Sequence, residues 1–115
     1  MSVAELEPGT LVENLKGGNS IVKFYASWCG HCQSYEKQYA DLAARDSGTN
    51  YYRMDMDKHR GELGASMEQL SAAVSSYPTI LGFRTRNGGV QAVQLSNQSR
   101  TDESMQTLAE SVKAE

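Results

Sequence analysis

The chain has 115 residues and two cysteines, and the cysteines stand three positions apart, as Cys29-Gly30-His31-Cys32. The thiolate is the form of cysteine that attacks disulfides, so a pair at this spacing can take a mixed disulfide on one sulfur and resolve it with the other. A structural staple is a poor alternative, because the chain entropy removed by closing so short a ring is worth roughly 2 kcal/mol, less than for a bridge across tens of residues. A zinc site would need two more ligands. His59 is the one histidine outside the motif, and it is expected on a surface loop, so a four-ligand site is poorly supplied. The expectation is a redox pair with no metal and no cofactor beyond its own dithiol.

The elements around the pair fit that chemistry. Ile21 to Ala26 runs β-branched and aromatic with almost no alternation, as a central strand covered on both faces would; Lys23 is its misfit. From Gly30 the period changes to 3.6, with Cys32, Tyr35, Tyr39, Leu42 and Ala43 on one face, Arg45 in the last turn and Gly48 beyond it. A strand therefore feeds directly into a helix at Cys29, where backbone N–H groups without intrahelical acceptors favour an anion. This geometry lowers a thiol pKa and gives the pair distinct roles, with Cys29 as attacking sulfur and Cys32, one turn inside, as resolving sulfur. Trp28 borders the site. A partly protonated His31 would stabilise the Cys29 thiolate, hence the reduced protein, and make the disulfide a better oxidant.

A short helix is expected near Thr10–Leu15, closed by Gly17-Gly18. Asn50–Met56 alternates as a strand, and Leu63, Met67, Leu70 and Val74 make the stripe of a following helix. Strand-like runs at 79–84 and 90–95 flank Asn87-Gly88-Gly89, a strong hairpin signal. A last helix carries Met105, Leu108, Ala109 and Val112, with Ser99 or Thr101 as candidate N-cap. This order implies one α/β domain over 1–115, a central mixed β-sheet flanked by helices on both faces.

At the chemistry-bearing residues the chain resembles a known family. Phe24-Tyr25-Ala26-Ser27-Trp28-Cys29-Gly30-His31-Cys32 is similar to the active-site segment of protein disulfide isomerase domains of the thioredoxin superfamily, and Tyr77-Pro78-Thr79 resembles that family's cis-proline tripeptide. The resemblance implies the thioredoxin fold, a cis Tyr77-Pro78 bond beside the disulfide, and a backbone at Tyr77 that pairs with an extended substrate segment. It also implies that Arg100 approaches the second cysteine and aids its deprotonation. Gly30 and His31 would then tune the pair, and Trp28, Tyr77 and Pro78 would meet the substrate. Three departures stand out. Lys23 occupies the place of a buried acid that shuttles a proton for the second cysteine, and either its amine reaches out to water or it faces Cys32. Lys37 replaces a helix-kinking proline, and the stretch from Asp57 to Pro78 is a few residues longer than usual.

The rest of the chain bounds the partners. A net charge of −3 with 39% hydrophobic and 22% charged residues is that of an ordinary globular protein, which argues against nucleic acid. No stretch is apolar for the length of a membrane helix, and Met1–Lys16 lacks a signal-peptide pattern. The expected partners are polypeptides with thiols or disulfides, with glutathione or a thiol oxidase or reductase completing the exchange, and the expected state is a monomer. The compartment would be an oxidising one of endoplasmic-reticulum type if a leader was removed, and otherwise the cytoplasm. Two other functions share these residues: a thioredoxin-like general reductant, and a thioredoxin-fold client-binding module with little turnover.

Overall fold

In a computed structural model of the chain, residues 3–46, 48–62, 74, 77–86, 89–93 and 102–113 are described. In order, the elements are β1 (Ala4–Glu5), a 3-10 turn (Pro8–Thr10), α1 (Leu11–Leu15), β2 (Ser20–Tyr25), α2 (Gly30–Arg45), β3 (Asn50–Asp55), α3 (Met56–His59) and a second 3-10 turn (Arg60–Glu62). After these come β4 (Thr79–Arg86), β5 (Gly89–Val93) and α4 (Asp102–Lys113). The strands form one sheet in the order β1-β3-β2-β4-β5. β1 and β2 run parallel to β3, while β4 is antiparallel to β2 and to β5.

β2 sits at the centre, paired along its length on both sides, and its residues are buried from Ser20 to Phe24. Its side chains alternate between two cores. Ile21 meets Tyr35, Tyr39, Leu42 and Ala43 of α2 and Leu108, Ala109 and Val112 of α4. Val22 and Phe24 meet Leu6, Leu11, Leu15, Met54, Met56, Leu81 and Phe83 on the other face. The mixed sheet with helices on both faces is therefore as expected. The stripe expected on α2 is the one that packs, with Tyr35, Tyr39, Leu42 and Ala43 buried. Lys37 continues the helix instead of kinking it, exposed and paired with Asp41 one turn on.

Three features differ from expectation or lie beyond it. β1 has no sequence signal, because two residues are too few to show a period; its pairing with Tyr52 and Arg53 is a tertiary event. His59 is not a surface residue. It is 6% exposed, since Met56 anchors α3 in the core and a residue three positions on turns to the same side. Its ring nitrogens lie 3.2 Å from Glu7 and 3.0 Å from Glu62. Of the helix expected around Leu63–Val74, Val74 is described and fully buried. The remaining positions of that stripe, the Asn87-Gly88 turn and the Ser99 and Thr101 caps lie outside the described residues, as does the side chain of Met105.

α4 approaches the sheet closely at Gly82. A Cβ there would lie 2.5 Å from Val112 Cγ1 and 2.9 Å from Leu108 Cδ1. The helix is tied down at its far end by Asp46, the residue after α2. Its carboxylate accepts hydrogen bonds from Lys113 Nζ (2.7 Å), the Tyr51 hydroxyl (2.7 Å) and the Gly48 amide (3.0 Å). Burial works to raise the Asp46 carboxyl, but these donors outweigh it and hold it below its ordinary value.

Gly82→Ala is expected to destabilise the fold by about 1–3 kcal/mol, the usual cost of overpacking, measured as a lower denaturant midpoint at unchanged slope. Asp46→Asn is expected to cost about 1–2 kcal/mol at neutral pH. Because the folded carboxyl titrates below its unfolded value, the parent's advantage should be complete above the ordinary aspartate range and shrink as pH falls through the depressed folded pKa. Midpoints of the two proteins compared across an acid series would show it.

Candidate active site

β2 ends at Tyr25 and α2 begins at Gly30, so Ala26–Cys29 is the whole of the connection. The junction is tightly held: the Cys29 amide donates to Ala26 O (3.1 Å), and the Cys29 carbonyl accepts the first helical bond from Gln33 N (3.2 Å). From within the helix, Gln33 Nε2 donates to Ser27 O at 3.1 Å. Cys29 therefore occupies the capping position of a 16-residue helix, where first-turn amides and the helix dipole favour negative charge. It is disulfide-bonded and 5% exposed.

The far wall of the site comes from the start of β4. The Tyr77-Pro78 peptide is cis, as the tripeptide implied, and Thr79 pairs with Phe24 of β2. This register brings Tyr77 against the cluster of Ala26 and Cys29. Trp28 stands over the same edge, its ring 5.7 Å from that of Tyr77 in an edge-on arrangement. It is 66% exposed, so a large apolar face is open to solvent beside a buried sulfur. The structure thus brings together Trp28, Cys29, Tyr77 and Pro78. The backbones of Gly30, His31 and Cys32 form the first turn of α2; the side chains of His31 and Cys32 and the whole of Arg100 lie outside the described residues.

Lys23 corrects one of the two sequence readings, because its amine does not reach water; the other, that it faces Cys32, falls on a side chain outside the described residues. The side chain is fully buried, and Nζ forms an ion pair with Glu36 Oε2 of α2. The amine lies 5.3 Å from the Tyr39 ring centroid and 5.7 Å from that of Tyr25, distances at which an aromatic face attracts a cation. The other Glu36 oxygen accepts from Arg53 Nη1 (2.6 Å), and Arg53 Nε donates to Glu5 (2.8 Å). The Tyr25 hydroxyl closes the chain on Glu5 at 3.0 Å.

The electrostatic consequences follow from these contacts. Burial opposes ionisation of Glu36, but Lys23 and Arg53 more than compensate and hold its carboxyl below the ordinary range. Burial and the Glu5 carboxylate push the Tyr25 phenol up to about 12. Glu36, Arg53 and Glu5 were not singled out from sequence, yet one signal was present. Glu36 lies about 100° round the helix from Tyr35, at the edge of the apolar stripe, whereas Asp41 falls on the opposite face. A lysine buried beneath this helix would meet Glu36.

The comparisons agree with the architecture. The Thioredoxin family model matches residues 3–111. The chain is 36% identical over 84 residues to the Thioredoxin domain-containing protein 5 homolog of Drosophila melanogaster, covering 70% of this chain and 19% of that protein. It is 30% identical over 112 residues to a protein disulfide-isomerase of Schizosaccharomyces pombe, covering 95% of this chain and 28% of that protein. The chain thus spans less than a third of the length of these two relatives. Among solved structures, the Trx4 domain of ERdj5 superposes with a TM-score of 0.75 at 18% identity, over 99% of both chains. With its central strand running into the capping cysteine and the Thioredoxin family model matched over residues 3–111, the chain belongs to the thioredoxin family.

Proposed function

We propose that the chain is a thiol-disulfide oxidoreductase that forms, reduces or isomerises disulfides in polypeptide substrates through Cys29 and Cys32. The observation that carries this reading is a disulfide-bonded cysteine at the head of α2, beside an exposed tryptophan and a cis-proline. Cys32 is the chain's other cysteine and the partner this reading assigns. The relatives named as protein disulfide-isomerases support the same chemistry.

In the reducing direction the Cys29 thiolate attacks one sulfur of a substrate disulfide. A mixed disulfide forms, and the second substrate sulfur leaves as a thiolate that takes a proton. Cys32, deprotonated, then attacks the Cys29 sulfur; the mixed disulfide breaks, the first substrate thiol is released, and the domain keeps the new disulfide. Two electrons and two protons have passed to the substrate. Oxidation runs the same steps backwards, and isomerisation stops at the mixed disulfide while the substrate rearranges. Trp28 and the backbone at Tyr77 would hold an extended substrate segment across Cys29. The partners of this reading are thiol- or disulfide-bearing polypeptides, with glutathione or a thiol oxidase or reductase resetting the pair. An oxidising compartment of endoplasmic-reticulum type suits it.

Cys29→Ser is expected to abolish disulfide reduction and oxidation, whereas Cys32→Ser should keep a nucleophile that stays trapped in mixed disulfides with clients. Non-reducing gels read the difference, and trapping by Cys29→Ser instead would reverse the two roles. His31→Pro should lower the reduction potential by some tens of millivolts, since it removes an imidazole able to favour the Cys29 thiolate. Equilibration in glutathione buffers measures this; an unchanged or higher potential would show that His31 does not set the poise.

A further inference from the structure

His59 is buried, yet each of its ring nitrogens meets a carboxylate that stands mostly in solvent: Nε2 lies 3.2 Å from Glu7 and Nδ1 lies 3.0 Å from Glu62. A neutral imidazole has one N–H and one lone pair, whereas a carboxylate only accepts. With a neutral ring, one contact is a hydrogen bond and the other sets a lone pair against a carboxylate oxygen. Both contacts are favourable together only when the ring is an imidazolium, with an N–H on each side. Burial of the ring opposes that charge, and the two carboxylates favour it. Among the described residues, the other charges on the neighbouring elements are engaged elsewhere or exposed. Asp55 accepts the Lys58 amide, and the side chains of Asp57 and Lys58 are exposed. Lys23 of β2, the strand against which α3 packs, is paired with Glu36 of α2.

The two contacts join separate parts of the chain. Glu7 leads from β1 into the first 3-10 turn, where its carbonyl accepts from the Thr10 amide at 3.1 Å. Glu62 ends the second 3-10 turn, which follows α3. Both segments leave the sheet at the end where β2 runs into Cys29, because β1 and β2 are parallel to β3. Beneath them Leu6, Leu11 and Met56 share one core. We propose that His59 is a proton-operated clasp. Charged, it locks the Glu7 and Glu62 segments together; neutral, it releases one carboxylate and lets α3 and the second 3-10 turn open locally. Histidine ordinarily changes charge between about pH 5 and 8, where carboxylates are ordinarily ionised. The charged ring is the form the folded contacts favour, so the lock is complete at the acid end of that window and is lost as pH rises through it. The clasp uses neither cysteine and stands apart from the oxidoreductase reading.

The test follows backbone amide exchange by mass spectrometry in the full chain with its disulfide intact, from about pH 5.5 to 8, each rate divided by the intrinsic rate at that pH. Peptides over 4–10 and 56–62 report the clasp, and 20–25 in β2 is the reference. In the parent, protection of the first two should fall about tenfold across the series, in keeping with hydrogen bonds to a charged group, while β2 stays level. His59→Gln should show low protection in both segments at every pH. Glu7→Gln and Glu62→Gln alter exposed side chains and should each flatten the slope, which keeps the clasp testable even if His59→Gln fails to fold. Level protection in the parent, or an unaltered slope in both Glu7→Gln and Glu62→Gln, would overturn the inference. So would a slope that persists in His59→Gln, which would assign it to His31, the chain's other histidine.

Discussion

β2 is hydrogen-bonded on both sides, covered on both faces and continued after four residues by α2. A strand held in this way leaves its last residue little freedom. The Tyr39 hydroxyl adds a further tie, donating to Tyr52 O at 2.7 Å and lying 3.0 Å from Ile21 O, so that α2 grips β2 and β3 together from above. Burial pushes the Tyr39 phenol well up, which keeps it a donor. The position of Cys29 is the end point of these constraints, since the junction is too short to let the helix drift relative to the strand. Hydrogen bonds within it, from Cys29 N and Gln33 Nε2, remove the remaining slack.

Lys23 shows how such a strand tolerates a charge. An ammonium taken from water into a protein interior loses several kcal/mol of hydration, which geometry must return. Here the return comes from three directions: the carboxylate of Glu36, the face of Tyr39 and the face of Tyr25. Glu36 remains partly wet, so the cluster spans the distance from core to surface and continues through Arg53 to Glu5 at the sheet edge. The same contacts attach β1, whose two residues would otherwise add little to the sheet. Glu5 thus links an edge strand, a phenol and a guanidinium, and burial together with this carboxylate is why the Tyr25 phenol is raised.

α4 is held by shape and charge acting at different places. Gly82 lets Leu108 and Val112 settle on β4, and Asp46 clamps the end of the helix through Lys113. Neither contact touches Cys29, yet both bear on it, because Ile21 and Ile80 share one core with α2 and α4.

The sequence by itself determined where the two cysteines stand and the order of the main elements. A run without alternation, then period 3.6 beginning at Gly30, placed a cysteine pair at a strand-to-helix junction, whereas Tyr77-Pro78-Thr79 as the opposing wall was implied by the family resemblance. The signals of the strand and the helix are local, carried by periodicity and by neighbours within a few residues. What only the tertiary structure decided is set by contacts distant in sequence. Ala4–Glu5 became a strand because β3 offered an edge; His59 became buried because Met56 is drawn into the core. Lys23 found a carboxylate 13 positions away on the helix above it. An unpaired lysine in a buried strand has one meaning and an ion-paired lysine another, and the choice between them depends on which face of α2 meets β2, a relation that exists only once the sheet and helix have packed.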